Sequence, residues 1–183
     1  MKGIIFTYLE EFVIKNAGIE AWDTLLETTH LKTEDGVFVS PGNYPDEDLF
    51  ALVAAGSKNL NLPMNDVIYA FGEFVASKYH QDYTDFFKPG MSAKTLLNSV
   101  DKIIHVEVKK LYPDVHLPQF QYEDPAPDKL VMKYFSTRKL CVLAKGLING
   151  VGNLYNEKIE ISEPLCMHNG ADHCRLELTF VKK

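Results

Sequence analysis

The sequence predicts an α+β domain, in which a helical N-terminal lobe is followed by an antiparallel β-sheet lobe with a packed helix. Two patterns support this class. Apolar residues recur at helical spacing through about residues 1–112, and short alternating or β-branched segments dominate about residues 113–183. The 183 residues, of which 46% are hydrophobic, are enough for one domain built from these two lobes.

Helices account for the first lobe. The apolar pattern predicts them over residues 2–17, about 20–29, 45–59, a segment around 67–75, and 92–112. Gly72 lies inside the fourth helix, where it costs about 1 kcal/mol relative to Ala, so we expect another group to approach the backbone there. Ser92 is the expected N-cap of the last and longest helix, which ends near Tyr112-Pro113.

Strands account for the second lobe. Prolines concentrated between residues 113 and 127 mark the end of the helical lobe. The residues that follow predict strands over 119–122, 130–136, 158–162 and 175–180. A helix over about 139–155 separates the second strand from the third. Its glycines, Gly146, Gly150 and Gly152, would permit close approach by a flat ligand or a neighbouring helix.

Composition argues against several classes of protein. The net charge of −6 and the lack of a Lys/Arg cluster in the sequence disfavour nucleic-acid binding. No apolar stretch has transmembrane length, and Glu10-Glu11 interrupts the N-terminal apolar run that a secretory signal would need. Three cysteines do not suggest a disulfide framework, because their number is odd. We therefore expect a bacterial-type cytoplasmic protein without nucleic-acid or membrane partners.

Tyr134, Ser136 and Arg138 form the first candidate site. If residues 129–138 are extended, the three side chains share one face, because side chains alternate along a strand. Two hydroxyl groups and a guanidinium can bind carboxylates through charge-assisted hydrogen bonds. From spacing alone, an exposed polar strand face is the simpler interpretation.

His105 is the second candidate site residue, beside the apolar stripe of the helix predicted over 92–112. A lone histidine at such a position is more often structural than a metal ligand. Neutral imidazole is nevertheless the usual protein ligand of haem iron in globin-like sites, and a rigid helix holds it well. In this order, His105 and the Tyr-x-Ser-x-Arg triplet resemble the proximal histidine and signature motif of the H-NOX family, the haem nitric oxide/oxygen binding domains. The resemblance covers essentially the whole chain, from Met1-Lys2-Gly3-Ile4-Ile5 onward.

The resemblance implies a b-type haem between the two lobes. The haem would be non-covalent, because the sequence has no Cys-x-x-Cys-His attachment motif. The implied ligands are His105 for the iron and, for the propionates, Tyr134, Ser136 and Arg138. Pro118 matches the family's proline that presses on the porphyrin and distorts it, and Ile5 matches a second residue in van der Waals contact with the macrocycle. As a plain loop residue, Pro118 would need no ligand, and the two interpretations are compatible.

Three apolar residues occupy the positions that decide which gas binds. Oxygen-binding members of the family carry a tyrosine where this chain has Leu143, a supporting polar residue where it has Val75, and an indole where it has Leu9. Leu147, one turn beyond Leu143, is a further expected haem contact. Bound dioxygen would find no hydrogen-bond donor there, whereas nitric oxide binds ferrous haem without one. The pattern resembles the nitric-oxide-selective bacterial branch, with CO as a second candidate ligand.

Cys141, Cys166 and Cys174 form a third candidate site. Three thiols with a nearby imidazole or carboxylate match the ligands of tetrahedral zinc, although the spacing fits no common zinc finger. Some H-NOX proteins are similar here and bind zinc through three cysteines and a histidine. That histidine position holds Glu163, so the fourth ligand would be Glu163 or His168. Three metal-free cysteines are an equally good interpretation.

The resemblance implies a sensor and not an enzyme. NO binding would weaken the bond between iron and His105, free the helix and relax the haem against Pro118, which is a ligand-driven shift between two states. The signal would pass to a separate sensor histidine kinase or cyclic-di-GMP enzyme. The alternative is a haem-free metal- or ligand-binding module, because the second lobe also resembles the vinyl-reductase-like domains. In that module His105 and Arg138 would be structural.

Overall fold

The computed structural model describes residues 1–182 and confirms the α+β class. The helices are α1 (Gly3–Ala17), α2 (Ile19–Thr28), α3 (Asp46–Leu60), α4 (Met64–Asp82), α5 (Ala93–Ser99), α6 (His105–Leu111) and α7 (Cys141–Leu154). The strands are β1 (Gln119–Ala126), β2 (Lys129–Phe135), β3 (Glu157–Leu165) and β4 (Cys174–Lys182). Within this part of the chain, no helix is both long and apolar enough to cross a membrane.

The described residues divide into two compact units, Met1–Phe71 and a second unit that begins at Gly72. The boundary between these units lies inside α4. The change from helices to strands comes later, after α6, close to residue 112 where the sequence predicted it. The second unit therefore contains helices as well as the sheet.

Aromatic stacking and one buried carboxylate organise the first unit. The Phe6 ring stacks on Phe38 at 4.3 Å between ring centroids, and Tyr44 meets both rings edge-on at 5.4 and 4.9 Å. Asp48 is buried on α3 and accepts hydrogen bonds from the backbone N–H of Thr33 at 3.0 Å and from its hydroxyl at 2.6 Å. These contacts hold the loop between α2 and α3 at two points, by aromatic packing at Phe38 and Tyr44 and by the Asp48 carboxylate at Thr33.

The second unit is built on an antiparallel sheet with strand order β1-β2-β4-β3. One sheet face is apolar because alternate residues of β2 and β4 point toward α5 and α7. The buried residues on this face are Leu130, Met132, Tyr134, Cys174, Leu176 and Leu178. They form one core with Ala144 and Ile148 of α7.

The opposite sheet face carries a network of ion pairs. Arg175 donates to both carboxylate oxygens of Glu123, at 3.1 and 2.9 Å, and Lys133 lies 2.7 Å from the same carboxylate. These hydrogen bonds lower the pKa of Glu123 to about 2. Glu123 of β1 therefore links β2 and β4 across the sheet surface, and Arg175 also donates to Glu177 of its own strand at 2.7 Å.

Of the glycines predicted to permit close approach, Gly72, Gly146 and Gly150 lie where α4 and α7 touch, whereas Gly152 faces Glu157 and Ile159 of β3. A Cβ atom built on Gly72 would lie 2.5 Å from the carbonyl oxygen of Leu143 and 2.9 Å from the Cα of Gly146. A Cβ on Gly150 would lie 2.6 Å from that of Ala76. The close approach expected at Gly72 is therefore confirmed, and the approaching group is a neighbouring helix.

The long helix predicted over 92–112 is wrong in one respect, because it is not a continuous α-helix. Its N-cap is confirmed, since the Ser92 hydroxyl accepts a hydrogen bond from the N–H of Thr95 at 3.1 Å. A π-helical segment, Val100–Ile104, then separates α5 from α6. The longest uninterrupted α-helix among the described residues is α4.

Candidate functional site

His105 is the first residue of α6 and lies directly after the π-helical segment. Its side chain is largely buried, with 14% of its surface exposed. Nδ1 lies 3.4 Å from Oδ1 of Asp101. Burial lowers the pKa of His105, although the Asp101 carboxylate and the Pro118 carbonyl oppose the shift. The imidazole is therefore neutral at pH 7, which is the form that binds a metal.

Asp101 explains why the helix departs from α geometry. Its backbone N–H donates to the hydroxyl of Tyr122 at 3.3 Å, and its Oδ1 accepts the backbone N–H of Phe120 at 3.3 Å. Both partners belong to β1. A residue bound in this way to a neighbouring strand cannot keep the regular helical pattern, and one wider turn absorbs the difference.

Phe120 connects the two parts of the site that are far apart in sequence. Its ring centroid lies 5.9 Å from that of His105 and 5.5 Å from that of Tyr134. The histidine on α6 and the start of the Tyr-x-Ser-x-Arg triplet therefore contact the same side chain. Phe120 is not among the site residues predicted from the sequence, although its alternation with Tyr122 in β1 could have indicated a shared face.

The prediction that Tyr134, Ser136 and Arg138 share one strand face is wrong. Strand β2 ends at Phe135, and the chain turns, with the N–H of Lys139 donating to the carbonyl of Ser136 at 3.2 Å. Lys139 has φ = 52°, in the left-handed region that ends an extended segment.

The turn nevertheless brings the three residues of the triplet together. The hydroxyl of Ser136 accepts the backbone N–H of Arg138 at 3.2 Å. The phenol of Tyr134 is 3% exposed, and burial raises its pKa, while hydrogen bonds with Ser136 and the backbone of Leu140 oppose the rise. Tyr134 is therefore a neutral hydrogen-bonding group.

Arg138 also contacts the loop that carries Pro118. Its Nη1 donates to the carbonyl oxygen of His116 at 2.5 Å. Pro118 in turn lies close to His105, because its carbonyl is one of the groups that act on the pKa of that imidazole. Residues 116–118 therefore run between the guanidinium and the imidazole.

The predicted gas-selecting residues lie on three helices. Val75 on α4 is 1% exposed, and Leu143 and Leu147 on α7 are half-buried. They flank the α4–α7 contact at Gly72. Ile5 and Leu9 belong to α1 in the first unit, where Ile5 is half-buried and Leu9 is 2% exposed. Their haem contacts stay predictions.

The structure gathers the three cysteines around Glu163 and not around His168. The Sγ atoms of Cys141 and Cys174 lie 3.9 and 3.8 Å from that of Cys166, and all three thiols are free. One carboxylate oxygen of Glu163 completes a group of ligand atoms within 4.8 Å of one another. The His168 imidazole instead contacts the carbonyl oxygen of Lys139, at 2.8 Å, through its Nε2.

The charges at this cluster are set by burial and by one lysine. Burial raises the pKa of Cys141 to about 11 and also raises that of Cys174. Burial alone would raise the pKa of Glu163, but the hydrogen bond from Lys145 at 2.7 Å lowers it. The second carboxylate oxygen, Oε1, is buried and has no hydrogen-bond partner within residues 1–182. A buried oxygen in this state is available to a cation.

The imidazole of His105 and the donors of the Tyr-x-Ser-x-Arg triplet together have the chemistry of a haem-binding site. A neutral imidazole suits the iron of a haem, while hydroxyl groups and a guanidinium suit its two propionates. Both donor sets lie in the second unit and are joined through Phe120 and the loop 116–118. The residues present fit a haem whose iron is held by one histidine and whose propionate carboxylates are held by hydroxyl and guanidinium donors.

Comparison with known proteins specifies the class further. The model of the Haem-NO-binding family matches residues 2–163. An H-NOX protein from S. oneidensis, solved in the Fe(II)NO ligation state, is 36% identical, with a TM-score of 0.91 and coverage of 98% of this chain and 99% of that chain. The unliganded Fe(II) H-NOX protein from K. algicida is 28% identical, with a TM-score of 0.90 and coverage of 100% and 98%. H-NOX from Shewanella woodyi, bound to IWP-051 in the Fe(II)CO state, is 29% identical, with a TM-score of 0.84 and coverage of 98% and 94%.

The chain belongs to the Haem-NO-binding, or H-NOX, family. The match includes the helical residues as well as most of the sheet lobe. It therefore favours the H-NOX interpretation over the haem-free, vinyl-reductase-like module.

Proposed function

We propose that this protein is a haem-based gas sensor that responds to nitric oxide. The observation that carries the proposal is the convergence of His105 and Tyr134, the first residue of the triplet, on Phe120. Relatives of the same fold were solved with NO or CO on ferrous haem, at up to 36% identity. These support haem b, held without covalent attachment, as the cofactor of this chain.

His105 would hold the haem iron, and the half-buried Ser136 and Arg138, with the buried Tyr134, would hold the propionates. A bound haem would supply an iron for NO, and His105 would be the ligand whose bond to that iron NO binding weakens. The chain's own part is to hold a neutral imidazole on a helix whose regular geometry is already broken. Release of that imidazole would let α6 and the loop containing Pro118 change position, because both are tied to the ring.

Selectivity would follow from the apolar side chains of Val75, Leu143 and Leu9. A donor to bound dioxygen contributes on the order of 1.5–3 kcal/mol, and none of these three side chains has one. NO and CO depend much less on such a donor. We propose NO as the physiological ligand and CO as a ligand that also binds.

The output would be a conformational signal to a separate protein and not a reaction of the bound gas. The candidate gas-contact residues offer no acid–base pair for chemistry on a ligand. The family resemblance supports a sensor histidine kinase or a cyclic-di-GMP enzyme as the partner. Co-purification and a kinase or cyclase assay with NO-loaded and unliganded protein would test this choice.

Visible spectroscopy tests the haem proposal directly. Purified protein should show a Soret band, and ferrous protein treated with NO should show the spectrum of haem that has lost its histidine ligand. His105→Gly should lose haem or retain it only with added imidazole. His168→Gly, which removes an exposed imidazole far along the chain, is the matched control and should keep wild-type haem content. Unchanged haem binding in the His105 variant would refute the assignment.

We also propose a zinc ion at Cys141, Cys166, Cys174 and Glu163. The main support for this proposal is the distance of the Cys166 Sγ atom from those of Cys174 and Cys141, 3.8 and 3.9 Å. A tetrahedral ion with Zn–S bonds of about 2.3 Å separates its sulfur ligands by about 3.8 Å. Three thiolates and a carboxylate would leave the zinc site negatively charged, and the Lys145 ammonium offsets part of that charge.

Elemental analysis of protein purified under reducing conditions should find about one zinc per chain. Glu163→Gln should weaken zinc retention, because it replaces a charged ligand by a neutral one, whereas His168→Gln should not. Peroxide should release the metal, since thiolates are its ligands. Metal-free protein with an intact fold would remove zinc from the proposal without affecting the haem.

A further inference from the structure

The carboxylate of Asp101 faces the imidazole of His105. Asp101 lies four residues before His105, and its Oδ1 is 3.4 Å from Nδ1 of the imidazole. Four residues along a helix bring two side chains to the same face, which the π-helical segment preserves. Nδ1 is therefore directed at a carboxylate, which leaves the other ring nitrogen, Nε2, for the iron.

Asp101 is held in place independently of the histidine. Its backbone N–H donates to the Tyr122 hydroxyl, and the same Oδ1 that faces His105 accepts the N–H of Phe120, both at 3.3 Å. Burial raises the pKa of Tyr122 to about 12, so its hydroxyl stays neutral and keeps this role at any ordinary pH. The carboxylate is thus oriented by β1 before the histidine is considered.

We propose that Asp101 is a positioning residue that fixes the tautomer and orientation of His105 and strengthens its bond to the iron. The inference rests on the proposed haem function and deepens it. A carboxylate that accepts the Nδ1–H of a metal-binding histidine holds the ring in one tautomer and makes the other nitrogen a better ligand. Asp101 would therefore set how readily NO displaces His105.

The same contact links His105 to the sheet. Oδ1 of Asp101 contacts both the His105 imidazole and the backbone N–H of Phe120 in β1. Movement of His105 after its release would therefore remove one of the two partners of this oxygen and leave the other, the N–H of Phe120. Displacement of His105 would therefore alter the hydrogen bonding of β1 through this one oxygen atom.

Resonance Raman spectroscopy of ferrous, unliganded protein tests the proposal, because the iron–histidine stretching frequency reports the strength of that bond. Asp101→Ala should lower the frequency, and stopped-flow mixing with NO should show His105 lost about ten- to a hundredfold faster. Asp101→Asn keeps an oxygen acceptor without the charge and should give intermediate values. It also serves as the second variant if the alanine protein fails to fold.

Glu107→Gln is the matched control. It removes an acid two residues from His105 that pairs with Lys110 at 2.6 Å and not with the imidazole, so the stretching frequency should stay at its wild-type value. A wild-type frequency and NO rate in both Asp101 variants, with His105→Gly losing the band, would overturn the role of Asp101 and leave the haem proposal standing. A wild-type protein without an iron–histidine band would instead overturn the proposed function itself.

Discussion

Gly72→Ala should destabilise the protein through the contact between α4 and α7. The added Cβ would lie 2.5 Å from the carbonyl oxygen of Leu143 and 2.9 Å from the Cα of Gly146. Both are backbone atoms, so no side-chain rotation relieves the overlap and the helices must move apart. Overpacking of this kind costs about 1–3 kcal/mol, while replacing glycine by alanine inside a helix contributes about 1 kcal/mol of stability.

Gly56→Ala separates these two effects. Gly56 lies inside α3, and its added Cβ would meet only the Leu25 side chain, at 3.8 Å. This variant should therefore gain about 1 kcal/mol from helix propensity alone. The difference between the two variants removes the propensity contribution and leaves a packing cost of about 1–3 kcal/mol for Gly72.

Urea unfolding of both variants, in the same ligation state as the wild type, measures this difference. The midpoint should fall for Gly72→Ala relative to Gly56→Ala, without a change in the slope. Equal midpoints for the two variants would refute the close packing of α4 on α7, and with it the reason for a glycine at this position.

The remaining predictions concern the clamp, the gas and the surface of the sheet. Arg138→Ala should raise the rate of haem transfer to an acceptor globin, because losing a charge-assisted partner costs about 1.5–3 kcal/mol, or roughly ten- to more than a hundredfold in affinity. Arg138→Lys should give an intermediate rate. A wild-type transfer rate in both variants would contradict the role of Arg138 in binding the propionates. Leu143→Tyr should strengthen dioxygen binding by roughly ten- to a hundredfold if its hydroxyl reaches the ligand, with Leu143→Phe as the control, whereas a stable oxy spectrum in the unmodified protein would disprove the NO-selective pocket. The pKa of Glu123 is about 2 in the folded protein and 4.5 ordinarily, so its ionised form stabilises the fold above about pH 4.5 and this contribution is lost as the pH falls toward 2. Glu123→Gln should therefore flatten the pH dependence of the unfolding free energy in that window, and an unchanged slope would show that the ion pairs with Arg175 and Lys133 contribute nothing.

Local patterns in the sequence were sufficient for the fold class and for most of the elements. Helical periodicity, a Ser92 cap and alternating strands depend on neighbouring residues, which a single sequence displays directly. The order of His105 and the Tyr-x-Ser-x-Arg triplet is likewise a property of the sequence alone, and it is sufficient to indicate the family. Gly72 showed that something must approach closely, although it could not show that the neighbour is α7.

The tertiary structure decided the details that depend on contacts between distant residues. The π-helical segment before His105 exists because Asp101 is bonded to β1, a strand that periodicity cannot place beside that helix. Only Tyr134 of the triplet lies on strand β2, while Ser136 and Arg138 lie on the turn that follows, which ends with Lys139 in a left-handed conformation that no residue pattern required.

The choice of Glu163 over His168 has the same origin. Both residues are near the cysteines in sequence, but strand β3 directs one toward the thiols while the other side chain contacts the backbone at Lys139. The sequence by itself determined which chemical groups the protein possesses and in what order. Only the fold decided which of them meet, because side-chain contacts between separate elements depend on strand register and helix packing, and neither is encoded in any short stretch of residues.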